Sequence, residues 1–252
     1  MEPAPTWPPP EAGRAGAAED GTWVSPGYRS SWTRARFAIG LLAVAVAADA
    51  IGALLDLQGL GLVDAAEAGT LTEADAFAFD DLYSKVALAQ VALYLISALG
   101  VLAWLSRVVE NVPPLTGRTP RRGPRAAIGW WFVPFANYVV PYQITADAVR
   151  RLRVERDDGT ERLLLPWWIV WVAASLVGGV LWRLPSDTLD DLRLTFALTA
   201  VSDAGNVVAG ILLILVIRGT ERRSVARARL PGFGRPAEPP PAQPVRHLRS
   251  TR

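Results

Sequence analysis

Apolar residues along this chain gather into four long runs that lack the polar stripe of a helix lying on a soluble core. The first, at 37–55, reads FAIGLLAVAVAADAIGALL and carries one charge, Asp49. The second, at 86–105, carries none; the third, at 165–184, has only Arg183 near its end. The fourth, at 194–217, encloses Asp203. About twenty residues at about 1.5 Å each cross roughly 30 Å of hydrocarbon, so the pattern predicts four transmembrane helices. The first run exceeds the core of a cleavable signal and follows a tail of 36 residues, so it is expected to stay as a span.

Charge between the runs alternates in sign. Arg29, Arg34 and Arg36 precede the first span, and the loop 58–85 then carries six acids against Lys85. Residues 106–164 hold ten arginines, 185–193 three aspartates and one arginine, and the chain after Ile217 nine arginines against two glutamates. The positive-inside rule therefore places both termini and the central segment in the cytoplasm, in a plasma membrane.

The stretch GWWFVPFANYVVPYQ complicates a pure four-span reading. Residues 126–148 are long enough to cross, yet arginines flank them on both sides: Arg118, Arg121, Arg122 and Arg125 before, Arg150, Arg151, Arg153 and Arg156 after. One crossing would export one of these clusters. Pro134 and Pro141 also break the backbone ladder, which open hydrocarbon does not tolerate. Pro141 suits the first turn of a new helix. That helix places Ile144, Ala148, Val149 and Leu152 on one apolar face, with arginines largely elsewhere. An interfacial or re-entrant element over 126–153 is the expectation, its amphipathic helix and its aromatic rings set at the headgroup boundary; a fifth span is the alternative.

These residues also carry a resemblance. Gly129, Trp131, Phe132, Pro134, Asn137 and Pro141, followed by arginines and then Pro166, Trp167 and Trp168, resemble the domain of unknown function 4328 family over roughly 32–217. The family comprises multi-pass membrane proteins of GC-rich Gram-positive bacteria; the arginine-for-lysine bias by itself suggests a GC-rich bacterial genome. Members often have an aromatic residue two places after the asparagine, where this chain has Val139. The resemblance implies a membrane location and a shared motif. It brings no activity and no catalytic residue.

Asp49 and Asp203 both fall near the middle of their spans, and Asn206 shares a helical face with Asp203. Ionisable groups at that depth are costly, face the bundle interior and often mark ion or proton paths. No span carries a central base, so at least one of the two carboxyls is expected to be protonated. Two readings stay open: hydrogen bonds from helix to helix, reinforced by the small pairs Ala174/Gly178 and Gly205/Ala209, or a transport or sensing site.

Composition removes several functions. The chain has no cysteine and one histidine, His247 in the last tail, so disulfides, thiolate chemistry and multi-histidine metal sites are excluded within it. Phosphate loops, zinc signatures and a nucleophile arrangement are not present, no cofactor is implied, and the SDAGN context of Asp203 lacks the glycine flanks of an intramembrane aspartyl protease. Proline-rich 1–31 and basic 218–252 read as disordered cytoplasmic tails around a membrane domain at 32–217. Partners are expected to be the bilayer, anionic lipid at the arginine-rich segments, and a protein or a second copy; no folded basic domain organises nucleic-acid binding. The sequence thus predicts an all-α, non-enzymatic membrane protein acting as scaffold, sensor or accessory subunit. A small proton- or ion-coupled transporter or channel using Asp49 and Asp203 is the alternative.

Overall fold

The computed structural model describes residues 27–154, 158–181, 183–185 and 187–230. Most of both predicted tails, 1–26 and 231–252, lies outside these residues. The described residues form six α-helices: α1 Trp32–Glu67, α2 Glu73–Thr116, α3 Pro124–Gly129, α4 Val140–Arg151, α5 Thr160–Leu181 and α6 Leu189–Ala228. Four of them, α1, α2, α5 and α6, are long and apolar enough to cross a membrane.

These helices outrun the apolar blocks. The loop expected at 58–85 is almost entirely helical: α1 continues to Glu67, and α2 starts at Glu73. The physical reason is local. Leu60 and Val63 extend the packed face of α1, and Thr72 caps α2 by accepting the Asp75 amide. The basic tail expected from residue 218 begins instead as eleven further residues of α6. Thr220, Glu221, Arg223 and Ser224 are buried there, so the polar tail pattern conceals a packed surface.

α2, α1, α6 and α5 stand side by side in that order, with α1 packed on both α2 and α6, and α6 on α5. Small residues set the close approaches. A Cβ built on Gly205 would stand 3.1 Å from Cβ of Ala174, a contact between α5 and α6 that joins one member of each small-residue pair. One on Gly52 would collide with the Gln90 and Asp203 side chains. At the acidic end, Arg193 bridges Asp64 at 2.7 Å and Glu67 at 2.9 Å, tying the start of α6 to the end of α1. At the opposite, arginine-rich end, Glu221 accepts from Ser31 Oγ at 2.7 Å and Trp104 Nε1 at 2.9 Å, joining three helices.

The arc does not close on itself. α2 and α5 do not pack backbone to backbone, meeting through the Tyr94 and Trp171 side chains; α3, α4 and the aromatic turns between them fill the gap, packing on α2 and on α5. Residues 124–151 enter through α3, turn through two short 3₁₀ segments at Trp130–Phe132 and Ala136–Tyr138, and return through α4. Phe135, at the tip, holds φ 61°, a conformation rare for a side chain of that size.

Trp131 packs edge-on against Trp168 and Trp171, eight and eleven residues into α5, which puts the turn about 12 to 16 Å beyond the helix start. The segment is a helical hairpin inserted between α2 and α5. Pro141 occupies the first turn of α4, as its sequence context indicates. The apolar face of α4 differs from expectation, however. Ile144, Ala148, Val149 and Leu152 are all buried in the protein core with Val108, Val112 and Leu115, not laid against headgroups. With α2 and α5 apart, that face has a protein groove to fill.

Candidate functional site

Between the four long helices and the hairpin lies a cavity of about 300 Å³. Its walls come from α1 (Leu42, Val46, Asp49), α2 (Gln90, Tyr94, Ser97), the hairpin (Trp131, Phe132), α5 (Trp167, Trp171) and α6 (Asn206, Leu213). Such a space, mostly apolar with a few convergent polar groups, has the character of a small-molecule site.

The polar wall is built by register. Antiparallel packing at Gly52 brings α1, α2 and α6 to one level, where Gln90 Nε2 donates to Asp203 Oδ2 at 2.7 Å and to Asp49 Oδ1 at 3.4 Å. Asp203 is buried behind the carboxamide, whereas Asp49 and Asn206 reach the cavity wall. Two turns further toward the acidic end of the molecule, Asp56 is fully buried on α1 and accepts from Tyr83 Oη at 2.9 Å. Phe79 and Phe196 pack against the Tyr83 ring and each other, with centroids 5.5 to 5.8 Å apart.

The opposite wall is aromatic. Trp131, Phe132, Trp167 and Trp171 line it, and Trp168 packs behind them: its ring meets Trp131, Tyr142, Trp167 and Trp171, and its Nε1 donates to the Tyr138 carbonyl at 3.0 Å. Two residues of the lining carry buried donors, Ser97 Oγ and Trp131 Nε1, that have no hydrogen-bond partner among the described residues.

The predicted site residues separate accordingly. Asp49 and Asp203 share the Gln90 carboxamide, and Asn206 lies with Asp49, Trp131 and Phe132 around one space. Pro141 is buried at the root of α4, and Asn137 lies half-buried in the turn with its Oδ1 unpartnered. Gly129 and Pro134 are exposed and shape the backbone. Gln90, Asp56, Tyr83 and Ser97 were missed by attending to charge within the apolar blocks. A lone glutamine in an uncharged span was the available signal for Gln90.

The polar cluster carries a direct expectation. Asp203→Asn keeps the shape and the acceptor facing Gln90, and should leave the fold nearly as stable. Asp203→Leu removes the acceptor and should cost about 1–2 kcal/mol, the range of interhelical polar bonds. Denaturation of the purified variants in mixed micelles by SDS titration measures both.

Fold and cavity together define an all-α, multi-span membrane protein with an internal site that opens among its helices. The family model described as Domain of unknown function (DUF4328) matches residues 67–222, and the chain belongs to that family. The match begins at the end of α1, later than the resemblance near Trp32 had suggested, so Asp49 lies outside it and the hairpin within it. No curated protein and no solved structure matches the chain.

Proposed function

We propose that this is a non-enzymatic integral protein of the plasma membrane, a sensor or accessory subunit whose membrane domain takes up a small molecule. The observation that carries this reading is the cavity itself, with Asp49, Gln90 and Asn206 on one wall and tryptophans on the other. A bundle that served only as a rigid scaffold would gain packing by filling that space. Alternating charge supports an orientation with both termini and the hairpin entrance in the cytoplasm, where the arginines of 118–125 and 150–153 face anionic headgroups. Ligand occupancy would be relayed through the hairpin, since it walls the cavity and also packs on α2 and α5.

One observation favours a second reading, a small proton- or ion-coupled transporter: the Asp49–Gln90–Asp203 cluster joins three helices at mid-span. Proteoliposomes with internal pH- and cation-sensitive dyes separate the two. The sensor reading expects wild-type flux equal to that of protein-free vesicles. Wild-type flux that Asp49→Asn or Asp203→Asn abolishes, with the variants still folded, would overturn it and establish the transporter.

A further inference from the structure

We infer that the cavity binds a lipophilic organic ammonium ion, held by the Asp49 carboxylate and the faces of the surrounding aromatic rings. The inference rests on the reading that the cavity takes up a ligand, and it names the chemical class of that ligand.

Charge is the first argument. Asp49 and Asp203 stand on either side of Gln90, and among the described residues no lysine or arginine lines the cavity. The carboxamide makes its short bond to Asp203, which is buried, and only a 3.4 Å contact to Asp49. Asp49 is therefore the carboxylate left for a ligand, and a cation supplies the counter-charge that the helices lack. A carboxylate in a site largely shut off from water favours a weakly hydrated organic cation over a compact, strongly hydrated one.

The second argument is the opposite wall. Trp131, Trp167, Trp171 and Tyr94 contribute to the same lining. Indole and phenol faces attract ammonium groups through their quadrupoles, and aromatic cages of this type recognise alkylated ammonium ions. Ser97, 4% exposed, also contributes to the lining, and its hydroxyl has no partner among the described residues.

Access comes from the bilayer. Because α2 and α5 stand apart, the cavity borders the outer surface where Tyr94, Leu95 and Phe132 lie; these side chains are 53%, 58% and 71% exposed. An amphiphile partitioned into the membrane meets an apolar entrance first and the carboxylate last. A volume of about 300 Å³ holds a substituted ammonium head with one ring or a short chain.

The test uses the full chain in lipid nanodiscs and radiolabelled 4-phenylbutyl-trimethylammonium, with empty nanodiscs to correct for partitioning. Its uncharged isostere, carrying tert-butyl in place of trimethylammonium, is labelled and measured in the same way. Saturable binding of the ammonium is expected, with the isostere at least about tenfold weaker, as loss of a desolvated charge contact requires. Asp49→Asn should weaken the ammonium by about tenfold, Asp49→Glu should restore much of it, and Ala98→Trp, which fills the cavity, should abolish it. Equal saturable binding of both probes, lost in Ala98→Trp, would overturn the ammonium assignment while leaving the cavity as a ligand site. Saturable binding of neither probe would overturn the assignment and remove the support for ligand uptake as well. The comparison of the two probes needs only the wild-type chain, so it stands even if a variant fails to fold.

Discussion

Trp168→Ala should detach the hairpin and cost about 3 kcal/mol of stability. A tryptophan truncated in a packed core ordinarily costs about 3–5 kcal/mol. The lower end applies here, because lipid in place of water would solvate the freed surface. Trp168 is nonetheless the ring on which Trp131, Tyr142, Trp167 and Trp171 converge, and its indole N–H satisfies the Tyr138 carbonyl within the turn. Trp168→Phe keeps an aromatic surface and loses the donor, so about 1 kcal/mol is expected. SDS titration in mixed micelles gives both values, and limited trypsin digestion at Arg118–Arg125 reports release of the hairpin. An alanine variant as stable and as resistant as the wild type would mean that the aromatic hub does not hold the segment.

Arg223→Met should be comparably severe, about 3 kcal/mol, and its effect should depend on pH. The guanidinium is 3% exposed, pairs with Asp158 and, at 3.2 Å, with Glu161, and donates to the Val149 carbonyl at 2.7 Å. It ties α6 to the hairpin and to the start of α5. Removing one partner of such a group leaves charges and a carbonyl uncompensated, a loss of about 3–5 kcal/mol when all are buried. Partial exposure of Asp158 and Glu161 lets water recover some of it. The Arg223 guanidinium holds the Asp158 carboxyl well below the usual carboxylate range. A carboxyl depressed on folding contributes stability above its unfolded value and loses it as pH falls through its folded one. Wild-type stability from this pair should therefore persist at neutral pH and fade only in strong acid. Arg223→Met should flatten that acid limb, and SDS titrations from neutral pH down into strong acid follow the change.

The four spans were legible because each apolar run is long, nearly uncharged and bounded by charge of one sign. Their true lengths were not. Helical periodicity that carries polar residues, as in Thr220, Glu221, Arg223 and Ser224, looks like tail until the partners Ser31, Trp104 and Asp158 are known. The hairpin was visible through its two prolines and its flanking arginines. Its apolar α4 face was visible too, but whether lipid or protein covers such a face depends on the gap between α2 and α5, a tertiary fact with no local signal. Asp49 and Asp203 stood out as charges in apolar surroundings, whereas Gln90, which joins them, carries none. The cavity required four helices and the turn to be placed at once, and no spacing in one dimension encodes that.

The most direct test of the central claim, a chain that crosses four times and re-enters through its aromatic segment, uses its freedom from cysteine. Single cysteines at Ala68, Gly123 and Ala226, all exposed positions, are probed on intact cells with a membrane-impermeant thiol reagent. Ala68→Cys, between α1 and α2, should label from outside. Gly123→Cys, before the hairpin, and Ala226→Cys, near the end of α6, should label only after the cells are opened. Labelling of Ala226→Cys from outside, with Gly123→Cys still protected, would mean that residues 126–148 cross the membrane, and would contradict the re-entrant hairpin.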